Sequence, residues 1–373
     1  MNFALDEDHL TLKQSAGRFL DEEIALDALL KPGARVADAN YAANWQKIAA
    51  MGWQGIVIPE AYGGLGLSCV DLAMVLAEMG RTLAPSPFLG NLMGTWAMLR
   101  LGTEDQKQRL LPGVAAGTTR LALAVADSAG NADGECREAA AEPSGSGYAL
   151  TGSRSFVVDA VDADWLIVAA QDAGTGRRAF FLVEAKQSGV DADVVDWRDL
   201  TRQVCDIRLS HASATAMAPH TAADWDWIRD RILFALAAEC AAGTQQILSM
   251  TADYARERVA FGKPIGAYQS IKHSLADMLG QAECSNVAVL YAAWALSEDA
   301  PQAPLAAAMA KAYAGDAYVS CAHRSIQIFG AIGFTWEMKN HLYLKRAHAN
   351  AEMFGNARTH RSRVIDLSQQ AAA

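Results

Sequence analysis

The spacing of apolar residues changes twice along this chain, and those two changes restrict its architecture more than any single motif does. Up to about residue 115 the apolar positions recur at helical intervals: Trp45, Ile48, Ala49 and Trp53 share one face, and Pro59 with Gly63, Gly64 and Gly66 marks a loop. Between about 118 and 220 the runs become short and β-type. LALAVAD (121–127), YALTGSRSFVVDA (148–160), DWLIVAAQD (164–172) and RAFFLVEA (178–185) are separated by clusters of Gly, Ser, Asp and Asn. After Trp225 long helical patterns rich in Ala, Leu, Glu and Gln return, broken near 261–266, 297–304, 330–333 and 355. This order predicts an α+β fold, mostly α, in three parts: a helical domain over 1–117, a middle antiparallel β domain over 118–222 and a helical domain over 223–373.

With 373 residues, 51% of them hydrophobic, the chain can bury a large core and exceeds one ordinary compact domain. No uninterrupted run of about 18 apolar residues is present to cross a bilayer. The opening MNFALDEDHL is acidic and lacks the basic and apolar regions of a secretory signal, so a cytoplasmic protein that engages no membrane is expected. A net charge of −10 disfavours a general nucleic-acid surface, which needs clustered Lys and Arg, but leaves room for a local basic patch that holds a small anion. The six cysteines form no CxxC pair, which points to reduced packing residues and to neither a metal site nor a disulfide framework.

The segment RERVAFGKPIGAYQSIKHSLADM (256–278) places polar groups on both sides of a forced break. Arg258 ends one helical pattern, Phe261-Gly262 and Pro264-Ile265-Gly266 interrupt it, and Gln269 and His273, spaced i,i+4, begin the next. A guanidinium at a helix–turn junction can hold a phosphate bidentately, and Phe261 can cover a flat ring. Taken alone, these residues are better read as a helix–turn–helix with a solvated Arg.

A second segment, SIQIFGAIGFTWEMKNHLYLKRA (325–347), changes the weighting. Together the two resemble the carboxy-terminal domain of flavin-dependent acyl-CoA dehydrogenases, in which R-x-x-F-G and Q-x-x-G-x-x-G elements of neighbouring subunits hold FAD. The resemblance extends through WQKIAAMGWQGIVIPEAYGGLGLS (45–68) and the Gly-x-x-x-x-Lys-x-x-x-Leu-Pro run of 102–112. It implies an amino-terminal bundle, a central β domain and a carboxy-terminal four-helix bundle through which subunits tetramerise. It further implies FAD contacts from Arg258, Phe261, Gln269, Gln327, Gly330 and Gly333, an acyl-CoA substrate and an electron-transfer flavoprotein as acceptor.

The same resemblance exposes what the chain lacks. A dehydrogenase of this type needs a carboxylate to remove the proton α to the thioester, and the Tyr-Glu-Gly-Thr-Ser position of that Glu falls on Gly355, between Phe354 and Asn356. The Thr that would touch the cofactor becomes Ala357, and the Trp-Ile-Thr of the β domain becomes Phe156-Val157-Val158, without the hydroxyl. The alternative place for the base, counted back from Arg258, is Ile232. Asp230, Glu239 and Glu352 are the nearby carboxylates. Asp230, between Arg229 and Arg231, reads as a solvated helix surface, and Glu352 as an ordinary helix charge. Glu239 interrupts the apolar ALAAECAAG and requires a partner if buried, so it is the weak candidate for a relocated base. Three functions remain open: a base-lacking subunit of an α2β2 enzyme that completes a partner's FAD site, of the kind that oxidises steroid side-chain CoA thioesters; a self-sufficient homotetrameric dehydrogenase using Glu239; and a catalytically silent CoA-binding or scaffolding protein.

Overall fold

The computed structural model describes residues 5–133 and 136–372. Five helices come first: α1 (Glu7–Glu23), α2 (Tyr41–Ala50), α3 (Cys69–Thr82), α4 (Phe88–Leu101) and α5 (Glu104–Ala115). Capping boxes start three of them, with the side chains of Asp6, Ser68 and Thr103 accepting from backbone amides of the first turn. Helix α4 is apolar almost all round and buried nearly throughout, as befits a helix enclosed by other elements.

Seven strands follow: β1 (Leu121–Ala124), β2 (Ala139–Ser144), β3 (Gly147–Val158), β4 (Trp165–Asp172), β5 (Arg178–Glu184), β6 (Val190–Val194) and β7 (Val204–Ala216). The pairings β2–β3, β3–β7, β7–β5 and β5–β4 are antiparallel, and β4 closes the ring by pairing with β2. The sheet is not wholly antiparallel: β4 runs parallel to β1, with Leu121 opposite Trp165, and to β2, with Ala140 opposite Gln171. Alternation along the strands makes two cores. Leu150, Leu166, Val168, Phe181, Val183 and Ile207 pack within the sheet, whereas Leu123, Ile167, Phe180 and Leu182 face the helices and join their core.

The remaining elements are α6 (Ala222–Glu257), a small hairpin of β8 (Val259–Ala260) and β9 (Lys263–Pro264), α7 (Gln269–Ser297), α8 (Ala303–Phe329), α9 (Asn340–Glu352) and α10 (Ala357–Ala372). The 36 residues of α6 pass for a membrane-crossing helix by length and composition, yet 83% of its most apolar stretch is buried in the protein. It is the wall on which the others stack. Gly80 of α3 lies so close to it that a Cβ there would stand 2.8 Å from the Glu239 Cα, and Gly243 of α6 lies under the Tyr318 ring. Helices from both ends of the chain therefore share one hydrophobic core.

The four β-type runs are β1, β3, β4 and β5, and the other three strands of the seven-stranded sheet escaped sequence reading. Strand β2 is built from alanines and Pro143, β6 is VDADV, and the apolar positions of β7 alternate with so many polar ones that no run stands out. Their pairing comes from neighbours rather than from intrinsic preference. All six cysteines are free thiols, and all but Cys284 are buried.

Candidate functional site

A cleft opens where the sheet meets the turn between α9 and α10. Leu123, Val125, Phe156 and Val158 line its sheet side and Met353 with Phe354 its helical side, around a cavity of about 250 Å³. Beyond Phe354 lies a second hollow of about 250 Å³, walled by Gly355, His360, Arg229 and Arg363. Phe354, with Ala129, Gly130 and Ala132, lines both. Both Phe156 (φ 56°) and Phe354 (φ 54°) adopt the left-handed backbone region, which costs a bulky residue on the order of 1–3 kcal/mol each and persists only where surrounding structure enforces it. For Phe156 the enforcement comes from a register shift in the β3–β7 ladder between Arg154 and Val157.

The turn of 353–356 is held from beneath. Lys311 of α8, only 1% exposed, donates from Nζ to the carbonyls of Ala351 (2.9 Å) and Gly355 (3.0 Å). His360 Nε2 lies 3.1 Å from the carbonyls of both Phe354 and Gly355. Burial, reinforced by Lys311 and Arg363, pushes the His360 pKa down to about 4, so near neutral pH the ring is uncharged and Nε2 carries the proton it donates. Gly355 has φ 97°, and a Cβ there would stand 3.1 Å from His360 Nε2 and 3.3 Å from Thr359 Cγ2.

The carboxylates near this cleft differ sharply in freedom. Glu239 is buried and accepts two hydrogen bonds from Arg202 (2.8 and 2.7 Å) and one from Asn350 Nδ2 (2.9 Å), with Arg346 at 3.4 Å. Arg346 in turn binds Asp199 and Thr201. Burial alone would raise the Glu239 pKa, but Arg202 and Arg346 outweigh it and hold the carboxyl below its ordinary value. Asp230 is not the solvated surface residue its arginine neighbours suggested: it is 2% exposed and pairs with Arg363 at 2.6 Å. Burial keeps its pKa above the usual range in spite of that pairing. Ile232 is fully buried. Glu352, exposed, stands on the cleft wall, and Asn356 Nδ2 donates to it at 3.3 Å.

The residues expected to hold a cofactor lie elsewhere. Arg258 caps α6, and its carbonyl accepts from the Ile265 amide across the β8–β9 hairpin. The tip residue Phe261 is 97% exposed with φ 51°, so its ring is presented outward by a strained backbone. Gln269 opens α7 and is exposed, as are Gln327 and Gly330 at the end of α8, whereas Gly333 is buried. Stacking of Tyr254 on Phe329, with centroids 4.0 Å apart, and the hydrogen bond from Thr251 to Ser325 or its reverse (2.8 Å) bring the carboxy ends of α6 and α8 together. The two sequence elements thus share one end of the bundle. Along α8, Gln327 is 16 residues from Lys311, about 24 Å at the helical rise.

Sequence reasoning missed Lys311, His360, Arg202, Arg346 and the buried Asp159, which accepts from the Tyr41 hydroxyl and the Gly90 amide. A lysine among the small residues of AMAKAYAGDAY was the available signal for Lys311, since nothing else in that helix face is charged.

The fold and the matched sequences agree. The acyl-CoA dehydrogenase amino-terminal domain model matches residues 6–118, and the carboxy-terminal domain model matches 230–367. The acyl-CoA dehydrogenase IpdE2 of Mycobacterium tuberculosis is 32% identical over 310 residues, covering 83% of this chain and 80% of its own length. Among solved structures, a variant of the Tcur3481–Tcur3483 steroid acyl-CoA dehydrogenase superposes with a TM-score of 0.85 at 29% identity, over 98% of this chain and 99% of that one. The ChsE4–ChsE5 complex from Mycobacterium tuberculosis gives 0.87 at 25% identity, over 98% of each chain. The chain belongs to the acyl-CoA dehydrogenase family, FAD-dependent oxidoreductases acting on CH–CH bonds.

Proposed function

We propose that this chain is a base-lacking subunit of a two-component acyl-CoA dehydrogenase, and that it completes the FAD site of a partner chain of the same fold. The observation that carries this reading is the turn of 353–356. Where a carboxylate should face the thioester, the cleft meets Phe354 and a positive-φ glycine. Glu239 and Asp230 are poor replacements, because Glu239 is committed to the buried Arg202 and Arg346 and Asp230 to the partly exposed Arg363, and each would have to abandon a charged partner to accept a proton.

The fit to FAD differs between the two ends. In this chain's own cleft the sheet wall is apolar at Leu123, Val125, Phe156 and Val158, suited to a ring face but without a side-chain hydroxyl at 158 for its polar edge. At the far end, Arg258, Gln269 and Gln327 are exposed donors beside an exposed aromatic ring, which suits the phosphates and flat ring of a dinucleotide brought by a neighbour. When bound, FAD accepts the hydride from the β carbon. Arg258 would neutralise phosphate charge, Phe261 would cover an apolar face, and the glutamine amides would fix orientation. Proton removal falls to the partner's carboxylate. One steroid acyl-CoA dehydrogenase structure and one two-chain complex among the similar proteins favour a bulky CoA thioester and a heteromeric assembly. An electron-transfer flavoprotein is the expected acceptor.

Purification of this chain alone and together with a second, carboxylate-bearing dehydrogenase chain tests the reading. Flavin and acyl-CoA-dependent dye reduction are expected only with the pair, at one flavin per two chains. A yellow, active preparation of this chain alone overturns it, and no flavin in any combination favours a silent scaffold. One observation supports a self-sufficient enzyme: Glu352 lies on the cleft wall. In that case Glu352→Gln would abolish turnover by the isolated chain with flavin content unchanged.

A further inference from the structure

The anchoring of the 353–356 turn is unusual in its chemistry. A lysine ammonium buried to 1% ordinarily lies against a carboxylate, because an unpaired buried charge is costly. Lys311 instead spends its hydrogen bonds on two main-chain carbonyls, those of Ala351 and Gly355. The Ala351 carbonyl is one that the end of α9 leaves without a helical partner, since α9 stops at Glu352, and the Gly355 carbonyl belongs to the turn that follows. The Gly355 carbonyl receives a second donor from His360, so two buried side chains, from α8 and α10, converge on one peptide oxygen. That peptide follows Phe354, which has a left-handed backbone and lines both hollows.

We propose that Lys311 is a positioning residue of the cleft: with His360 it fixes the Met353–Asn356 turn, and so holds Phe354 in the wall shared by the sheet-side cavity and the hollow beside Arg229 and Arg363. The left-handed φ at Phe354 needs such an external hold, because a bulky residue does not favour it, whereas Gly355 adopts its positive φ freely. The proposal concerns the chain's own turn and stands whether or not a partner supplies the base.

Titration offers a handle. Burial pushes the Lys311 pKa down to about 8, while Cys240 from α6, Glu352 from α9 and Asp316 on its own helix act in the opposite sense. His360 from α10 faces it as an uncharged ring. Above about pH 8 the ammonium becomes an amine, whose bonds to the carbonyls are weaker than charge-assisted ones.

Hydrogen exchange of the full chain, in whatever assembly it is isolated, decides the matter. At pH 7, Lys311→Met is expected to speed exchange of the 353–356 amides by about tenfold or more while the amides of α6 keep their protection, because the loosening is local. After correction for intrinsic base catalysis, protection of the parent's turn should fall between pH 7 and pH 9, and the Lys311→Met variant should show no such fall. His360→Asn, which retains a donor but cannot reach equally far, should loosen the same amides and leave the parent's pH dependence in place. Unchanged exchange in Lys311→Met, or a loss spread evenly over α6, α8 and α9, overturns the proposal, as does a parent turn whose protection is indifferent to pH. If Lys311→Met fails to fold, the pH dependence in the parent and in His360→Asn is the test.

Discussion

The two ends of α8 are built on opposite plans. At the Lys311 end the buried lysine and carboxylates find partners inside the chain: the lysine on carbonyls, Glu239 between Arg202 and Arg346, Asp230 on Arg363. At the Gln327 end, Arg258, Gln269 and Gln327 stand at the surface, and Phe261 exposes nearly its whole ring. A closed end can be stable alone but has little left over for chemistry; an open end gains its full set of contacts only from something outside. The proposed role in a neighbour's FAD site draws on the open end alone.

Changes at the closed end should have the largest effects on stability. Glu239→Ala leaves Arg202 buried without its carboxylate and should cost about 3–5 kcal/mol, read by chemical or thermal unfolding. A cost below about 1 kcal/mol would break the contrast, because the network would then be dispensable. At the open end, Arg258→Ala or Gln327→Ala should leave unfolding nearly unchanged but weaken FAD retention in the assembled protein by roughly tenfold to a hundredfold, the worth of one charged hydrogen bond of about 1.5–3 kcal/mol. Flavin stoichiometry after extensive dialysis measures it, and full retention by both variants would remove the cofactor role of that surface.

Gly355→Glu probes the boundary between the plans. It restores a carboxylate at the turn, yet the positive φ and the approach of His360 should cost about 1 kcal/mol or somewhat more, and the isolated variant should still fail to reduce dye with acyl-CoA. Robust activity would mean that only the base was missing. The smallest effect is expected at Asp159, buried beside Tyr41 and Gly90. Burial raises its pKa to about 7 against the pull of Tyr41 and Arg202. A raised carboxyl pKa gives stability that is complete below the unfolded value of 3.8 and is lost as pH climbs through about 7. His360, with its pKa lowered to about 4, slopes the other way between pH 4 and 6.5. The difference between parent and Asp159→Asn isolates the first term: the variant should gain relative stability from pH 5 to pH 8 in thermal unfolding, and parallel curves would show that Asp159 is ionised throughout.

Much of the helical architecture was legible because it follows from periodicity, and the break at 258–269 was legible because glycine and proline fix backbone geometry locally. The parallel pairings of β4 were not, since strand neighbours are chosen by the packing of the whole sheet. At the site, the absence of a carboxylate at Gly355 could be read from the residue itself. The fate of Glu239 could not: its partners come from the β6–β7 connection and from α9, 37 and 107 residues away. Asp230 was misjudged for the same reason, because its flanking arginines point elsewhere and the one it meets lies on the last helix. Long-range charge pairing leaves no mark on local pattern.

The 16 residues from Lys311 to Gln327 also fix an angle. At about 100° per residue they amount to roughly 160° of rotation, so one side chain is directed into the bundle while the other is directed out of it. Inserting or deleting a single residue between them would swing the outer set by about 100° and shift it by about 1.5 Å, turning the glutamine away from any neighbour without touching the cleft. Helix α8 thereby acts as a phase setter between two sites, tolerant of side-chain exchange along its outer face but intolerant of any change in its length.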